Sequence, residues 1–584
     1  MSHCRMFRLF RLACLALVLA GMVGGVSAQQ PLQVELRAPE GVRALLERHV
    51  RVLARKDVAV PEARADRIAM MRRTRHEIEN LLATEGYFAS RIRIDPASSG
   101  QWVLEVEPGE QARIAALDLV IAGDLGTDER QAKRRDALRA AWSLPVGAPF
   151  RQAAWDAAKQ QLLDSVAARD YAAARIAASQ AEVDPATAQV RLSVTLDSGP
   201  PFRFGELQVS GLERLPENLV RRLSVLKPGE RYDQARLMAF QRALQNAPQF
   251  ASVTVDIDRD AARAGAAPVR VLVTEARSRH LAFGGGYSTN TGARAEVNWR
   301  DVNLLGRGWE LSTGLRIEQR RQSAYADIFL PPTRSGYLDS VGAVWENKDV
   351  EGLRSVRQAL GVVRARTRGD IETAVGLRYQ REELRPDGGL ASSRNALTAN
   401  WSWTRRRVDD PFHPRDGTVL RVELGGGSRL ALSEQDFLRG YGRAVRYVPV
   451  GERDVLILRG EAGVTLASSR DGIPQDFLFR TGGAQTVRGY AFESLGVRDG
   501  EATLGGRLMA AASAEYVHWF LPQWGAATFV DVGDAADDRA GFSLKSGYGV
   551  GARWLSPAGP IALDLAYGHA ERSLRLHFAI AVAF

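Results

Sequence analysis

From about Arg277 to its last residue the chain falls into stretches of roughly ten residues in which apolar and polar side chains alternate, separated by clusters of Gly, Asp, Asn, Pro and Arg. Ile371, Thr373, Val375, Leu377 and Tyr379 interleave with Glu372, Ala374, Gly376, Arg378 and Gln380, and Leu397, Ala399, Trp401 and Trp403 interleave with Thr398, Asn400 and Ser402. A period of two dictates strands with one apolar face. In a water-soluble sandwich that face is a core; in a membrane barrel it meets lipid, and the polar face lines a wet lumen where residues such as Asp564 are solvated or paired. The final strand discriminates: Leu574, Leu576, Phe578, Ile580, Val582 and Phe584 form one stripe that coincides with the end of the sequence, with Arg575 and His577 on the other face. The expectation is a transmembrane antiparallel β-barrel over 276–584 with about sixteen strands, an even number as bacterial barrels require, beginning near Leu281 to Ser288.

Ahead of the barrel the texture differs. From Gln29 to Ala276 amphipathic helices alternate with short strands, and the pattern returns three times at roughly 80 to 90 residues. The third copy has a strand at Phe204 to Val209, helices near Pro216 to Leu223 and Asp233 to Asn246, and strands carrying Val253, Val255, Ile257 and Val269, Val271, Val273. The second runs from Leu117–Val120 through helices near Glu129 to Trp142 and Gln152 to Ala167 to Val190, Leu192, Val194 and Leu196. The first has helices around Val42 to Ala54 and Ala65 to Thr84, then Ile92, Ile94, Trp102, Leu104 and Val106. Each second helix ends just before an aromatic residue, at Tyr87-Phe88, Tyr171 and Phe250, and Gly86 suits a left-handed helix cap. This β-α-α-β-β order resembles the POTRA domain, giving three α+β POTRA domains at 29–110, 111–199 and 200–275. An open strand edge on each would accept an extended segment by strand addition.

Residues 1–28 read as a cleaved secretory signal: Arg5, Arg8 and Arg11, an apolar run Leu12 to Ala20, then Val26-Ser27-Ala28. Both cysteines, Cys4 and Cys14, lie in it, so the mature chain is expected to hold neither a disulfide nor a thiolate metal site. Without the three leader arginines the formal charge falls from +10 to +7, modest for 584 residues, and neither nucleic-acid binding nor a cofactor is expected. The arginines of the first module's second helix, Arg64, Arg67, Arg72, Arg73 and Arg75, read as a solvated face, with docking of a partner or anionic lipid as the alternative. No later apolar stretch reaches the 18 or so residues of a membrane helix. Gly-x-Ser-x-Gly and His-Glu-x-x-His are both missing, so enzymatic chemistry is not expected.

Between the eleventh and twelfth strands, Ser468 to Gly505 forms a long connection containing Phe479-Arg480-Thr481-Gly482-Gly483 and Val487-Arg488-Gly489-Tyr490. Phe529-Val530-Asp531-Val532-Gly533 lies on the thirteenth strand, its alternation turning Phe529, Asp531 and Gly533 to the lumen. With Gly284-Gly285-Gly286-Tyr287-Ser288-Thr289, Asn303-Leu304-Leu305-Gly306, Asp409 to Gly417 and Gly559 to Asp564, these motifs resemble the family of POTRA-barrel proteins that insert or secrete other proteins. The resemblance implies that the loop folds into the lumen and that the Arg488 guanidinium meets the Asp531 carboxylate, with Gly489 turning the tip and Tyr490 packed beside it.

Within that family five POTRA domains usually mark the assembly subunit BamA, two the two-partner secretion transporters, and three the translocation and assembly module subunit TamA; three repeats look like the last. That resemblance implies assembly of outer-membrane clients such as autotransporters, a TamB-like inner-membrane-anchored partner bound through the first module, and a role in phospholipid movement. The lateral seam would pair Gly284, Gly285, Gly286 and Tyr287 with Phe578, Ile580, Val582 and Phe584. Relatives carry glycine where Ala579, Ala581 or Ala583 stand, which puts a strongly kinked closing strand in doubt. A two-partner secretion transporter and a passive outer-membrane channel are the alternatives.

Overall fold

The computed structural model describes residues 32–583 except 56, 57, 59, 62, 99, 100, 334 and 558; the segment expected to be a leader, which holds both cysteines, and Phe584 lie outside the described residues. The chain forms two compact units, the division falling within the third module.

The first module is a sheet of Gln33–Arg37, Gln101–Glu107 and Arg91–Ser98, in that spatial order, under helices Glu40–His49, Arg51–Ala54 and Arg64–Thr84. Its first strand runs parallel to the central one, and the other two form an antiparallel hairpin. Leu46, Val50, Ile78, Leu82, Trp102 and Leu104 make the core. The long helix stops where the sequence predicts: Gly86 adopts φ +90°, and the Tyr87 N–H bonds back to Leu82 O at 2.9 Å. A Cβ there would sit 2.2 Å from the Phe150 carbonyl oxygen of the second module, so the cap is also a close approach between modules. Phe88 and Phe150, with ring centroids 5.9 Å apart, extend that contact.

The second module repeats the plan with strands Arg113–Ala122, Gln189–Asp197 and Arg175–Asp184 and helices Ala132–Ala140 and Gln152–Ala167. Trp142 and Trp155 meet edge to face at its centre, and Tyr171, the aromatic after the helix, is buried there. In the third module the strands are Phe204–Ser210, Ala267–Glu275 and Phe250–Ile257, and helices Glu217–Leu223 and Gln234–Gln245 bury Leu219, Val220, Leu223 and Leu237, Phe240, Leu244. Two strands have little sequence signal. Gln33–Arg37 is five residues long, and Arg175–Asp184 is an edge strand with no buried residue.

Sixteen antiparallel strands then close a barrel, from Arg279–Ser288 to Ser573–Ala583. Its apolar face points outward: Leu281, Leu360, Val375, Leu377, Leu424 and Val550 are exposed, whereas Gln380, Glu382, Thr398, Glu515 and Asp531 are buried inside. That inversion excludes the sandwich core and fits a wall facing lipid. No helix among the described residues is long and apolar enough to cross a membrane. The chain joins the barrel at its proximal end, which carries the turns 305–308, 409–416 and 520–523; the connections 428–436, 467–507 and 537–544 lie at the distal end.

Near the proximal end the third module touches the first turn of the barrel. Gln249 donates to Gly308 O at 2.8 Å, and Asn303 donates to Arg214 O at 3.3 Å. Glu275, the last residue of the module's final strand, accepts from the backbone N–H groups of Glu213, Arg214 and Leu215, each at 2.8 Å, and from Arg214 Nε at 3.0 Å.

Candidate functional site: a loop anchored in the lumen

The connection between strands Asp454–Leu466 and Leu508–Trp519 turns into the barrel. Residues Gln475–Phe477 form a 3-10 turn, and Val497–Asp499 pairs with Ala502–Leu504 as a small hairpin. Between them Thr481 and Leu495 exchange backbone hydrogen bonds of 2.9 Å, which brings the tip carrying Val487 to Tyr490 against the wall.

Arg488 is almost wholly buried. Its Nε and a terminal nitrogen grip both oxygens of Asp531 at 2.7 and 2.9 Å, and its backbone N–H reaches the same carboxylate at 3.0 Å. The other terminal nitrogen lies 2.8 Å from Glu515 and 3.2 Å from Asp564. The guanidinium stacks 3.4 Å from the centre of the Phe529 ring. Arg553 binds Glu515 and Asp564 as well, and Arg459 binds Glu515 at 2.9 Å. Three guanidiniums thus meet three carboxylates, so that each buried charge has an opposite charge in contact with it.

The wall is carved to receive the tip. A Cβ on Gly547 would stand 1.8 Å from Arg488 O, one on Gly568 2.4 Å from Gly489 O, and one on Gly533 2.8 Å from the Val487 side chain. Gly489 has φ +94°, and its N–H donates to His577 Nε2 at 2.9 Å, which sets the imidazole as an acceptor at that atom. The Tyr490 hydroxyl donates to Ser546 O at 3.0 Å and accepts from Ala570 N at 3.1 Å.

Two further anchors fasten the loop across the lumen. Asp476 pairs with Arg357 and Arg378, while Glu382 accepts from the Gln475 N–H at 2.7 Å. Glu493 pairs with Lys348 and with Arg480 of the Phe-Arg-Thr-Gly-Gly motif. The hairpin's Ala502 and Leu504 pack on Leu353 and Leu384.

The sequence-predicted residues Val487, Arg488, Gly489, Tyr490, Phe529, Asp531 and Gly533 therefore come together. Sequence reasoning misses the partners Glu515, Ser513, Arg459, Arg553 and His577. Their signal is available only through register, since Glu515 is an isolated acid at a lumen position in the alanine-rich strand Leu508–Trp519, directly opposite Phe529.

The seam also forms. Gly284, Gly285, Gly286, Tyr287 and Ser288 pair with Ala583, Val582, Ala581, Ile580 and Ala579. Phe578 continues it, its N–H and C=O meeting Thr289, and Phe584 lies outside the described residues. Among the described residues the seam has five residue pairs, against seven between the last two strands and sixteen between Leu353–Arg368 and Ile371–Pro386. The last strand pairs with its predecessor up to Ala579 and with the first strand from Ala579 onward, so it changes neighbour at one residue.

Known proteins share this architecture. Residues 278–584 match the Omp85 superfamily domain. The outer membrane protein assembly factor BamA of Nitratidesulfovibrio vulgaris (strain Hildenborough) is 26% identical over 384 residues, 62% of this chain and 47% of that protein. BamA of Neorickettsia risticii (strain Illinois) is 24% identical over 418 residues, 65% of this chain and 54% of its own length. The chain thus spans about half the length of the curated relatives it matches. The crystal structure of BamA from Haemophilus ducreyi lacking POTRA domains 1–3 superposes with a TM-score of 0.71 at 15% identity, covering 81% of this chain and all of that one, a likeness of fold.

Proposed function

Because the chain belongs to the Omp85 superfamily, we propose that it inserts or secretes other proteins at the outer membrane of a Gram-negative bacterium, through the seam between its first and last strands. The observation that carries this reading is that, among the described residues, the seam has five pairs in a wall whose other joints hold at least seven. Along that edge Arg279 to Ala282 have no partner in the last strand among the described residues, so those of their N–H and C=O groups that do not bond to the neighbouring strand Gly292–Leu304 are offered to an incoming strand. An unpaired group in hydrocarbon costs several kcal/mol, so a client strand that supplies the missing hydrogen bonds is favoured to enter there. Burial of the client's own apolar face in lipid completes the drive, and no covalent step is needed.

Three modules and the matched barrel motifs support the finer assignment to the TamA branch. On that reading the first module, in the periplasm, binds a TamB-like protein anchored in the inner membrane. The clients are unfolded outer-membrane proteins such as autotransporters, and phospholipid is a further cargo.

A disulfide across the seam tests the mechanism. Gly286 and Ala581 stand opposite each other, so the Gly286→Cys, Ala581→Cys pair is expected to block client assembly when oxidised and to permit it when reduced. Unchanged assembly by the oxidised, crosslinked barrel would remove the seam from the mechanism.

A further inference from the structure

On the outer wall, over strands Ser392–Val408, Gly417–Gly427 and Phe437–Val450, side chains form rows that change character from the proximal end upward. The lowest row is Arg407, Thr418 and Arg446; the next is Arg405, Leu420 and Ala444. Above them stand Trp403, Val422 and Gly442, then Trp401, Leu424 and Gly440. Register puts all four rows on the face where Trp401, Val422 and Leu424 are exposed, away from the buried Thr398 of the lumen. A depression of about 640 Å³ lies at the foot, lined by Arg405, Arg407, Thr418, Leu420 and Arg446 with Asp409 and Asp416. Higher up, a Cβ on Gly442 would meet nothing within 4 Å and one on Gly440 only the Leu424 and Val464 side chains, at 3.7 Å and beyond, so the glycines leave an open lane between flanking side chains.

The charges there are unequally engaged. Asp370 takes Arg405 through Nε at 2.9 Å, and Asp416 takes Arg446 at 3.0 Å. Asp409 accepts the Arg415 and Asp416 N–H groups at 3.0 and 3.1 Å. For Arg407 no carboxylate stands within ion-pair distance among the described residues. The foot of the wall therefore keeps donor capacity for an oxyanion at Arg407 and at the unengaged nitrogens of Arg405 and Arg446, while Asp370, Asp416 and Asp409 each already accept a hydrogen bond.

We propose that this wall binds one anionic phospholipid, its phosphate diester held by Arg405, Arg407 and Arg446 and an acyl chain laid along Gly442 and Gly440. Guanidiniums below, two tryptophans at the level of the glycerol and apolar side chains above reproduce the order of a phospholipid from head to tail. At this foot Arg407 has no carboxylate within ion-pair distance, while Asp409 is engaged by backbone N–H groups and Asp370 and Asp416 by Arg405 and Arg446, which favours an anionic headgroup over a zwitterionic one. This inference rests on the lipid-facing wall and is independent of client assembly.

The test is native mass spectrometry of the full chain released from detergent and titrated with dioleoylphosphatidylglycerol, with dioleoylphosphatidylcholine and inorganic phosphate as separate arms. Phosphatidylglycerol is expected to bind at one site about tenfold more tightly than phosphatidylcholine and to resist millimolar phosphate. The triple variant Arg405→Ala, Arg407→Ala, Arg446→Ala should lose that preference, and Arg539→Ala in the distal loop should keep it. If the triple variant does not fold, the lysine triple is read instead: it keeps the charge without the planar fork and should weaken but retain the preference. Equal binding of the two lipids by the unaltered chain, or displacement by free phosphate, overturns the proposal.

Discussion

Arg488 uses its Nε and both terminal nitrogens on three carboxylates and its backbone N–H on one of them, a demand that a single lysine ammonium cannot meet. Arg488→Ala leaves Asp531, Glu515 and Asp564 with one fewer cation in a buried site, a loss of about 3–5 kcal/mol in loop docking. Trypsin cleavage within 467–507 of the folded barrel should rise accordingly, with Arg488→Lys in between. Gly547→Ala should act like Arg488→Ala without touching a charge, because its Cβ would overlap Arg488 O. If Gly547→Ala leaves cleavage at the unaltered level, the close approach is not what seats the loop. The motif is legible in the sequence because Val487-Arg488-Gly489-Tyr490 and Phe529 to Gly533 are contiguous words. Glu515, Arg553 and His577 are not, since each is one polar residue in an alternating strand and acquires meaning only when register sets it beside the loop tip.

At the scale of elements, the joint between the third module and the barrel has its own titration. Burial would push the Glu275 carboxyl up, but the N–H groups of Arg214, Leu215 and Glu213 and the Arg214 side chain outweigh it and hold the group below its ordinary value. A depressed folded value means that the carboxylate stabilises the joint above the ordinary glutamate range and loses that contribution as pH falls through the folded value. The protection of the Glu213 to Leu215 amides against hydrogen exchange, corrected for the pH dependence of the intrinsic rate, should therefore be high at neutral pH and fall on acidification, whereas Glu275→Gln should show lower protection at neutral pH and no acid step. An acid step that persists in Glu275→Gln assigns the titration elsewhere. Helices are the most readable elements, and Gln152–Ala167 falls where its periodicity predicts. The strand Gln33–Arg37 escapes sequence reading because five residues with two apolar positions are too short a signal, and Arg175–Asp184 because an exposed edge needs no regular apolar alternation.

For the whole molecule, alternation predicts strands with one apolar face, the final strand chooses the barrel over a sandwich, and closure by sixteen strands agrees with the count of those stretches. Deleting residues 29–110 should leave the barrel folded and its mobility on unheated gels intact, while a TamB-like protein no longer copurifies; undiminished copurification would move the docking surface off the first module. The seam adds a mechanical asymmetry. The Arg488 cluster binds strands Leu508–Trp519, Trp524–Ala536 and Gly559–Gly568, and His577 ties Ser573–Ala583 to the same loop. The first hairpin is held otherwise, its turn fastened to the third module through Gly308 and Asn303. On the proposed seam mechanism the last strand is thus the jamb of a door and the first hairpin its leaf, with the third module as the handle. A pull on the handle would then be delivered to the leaf, while the jamb stays bolted to the lumen loop.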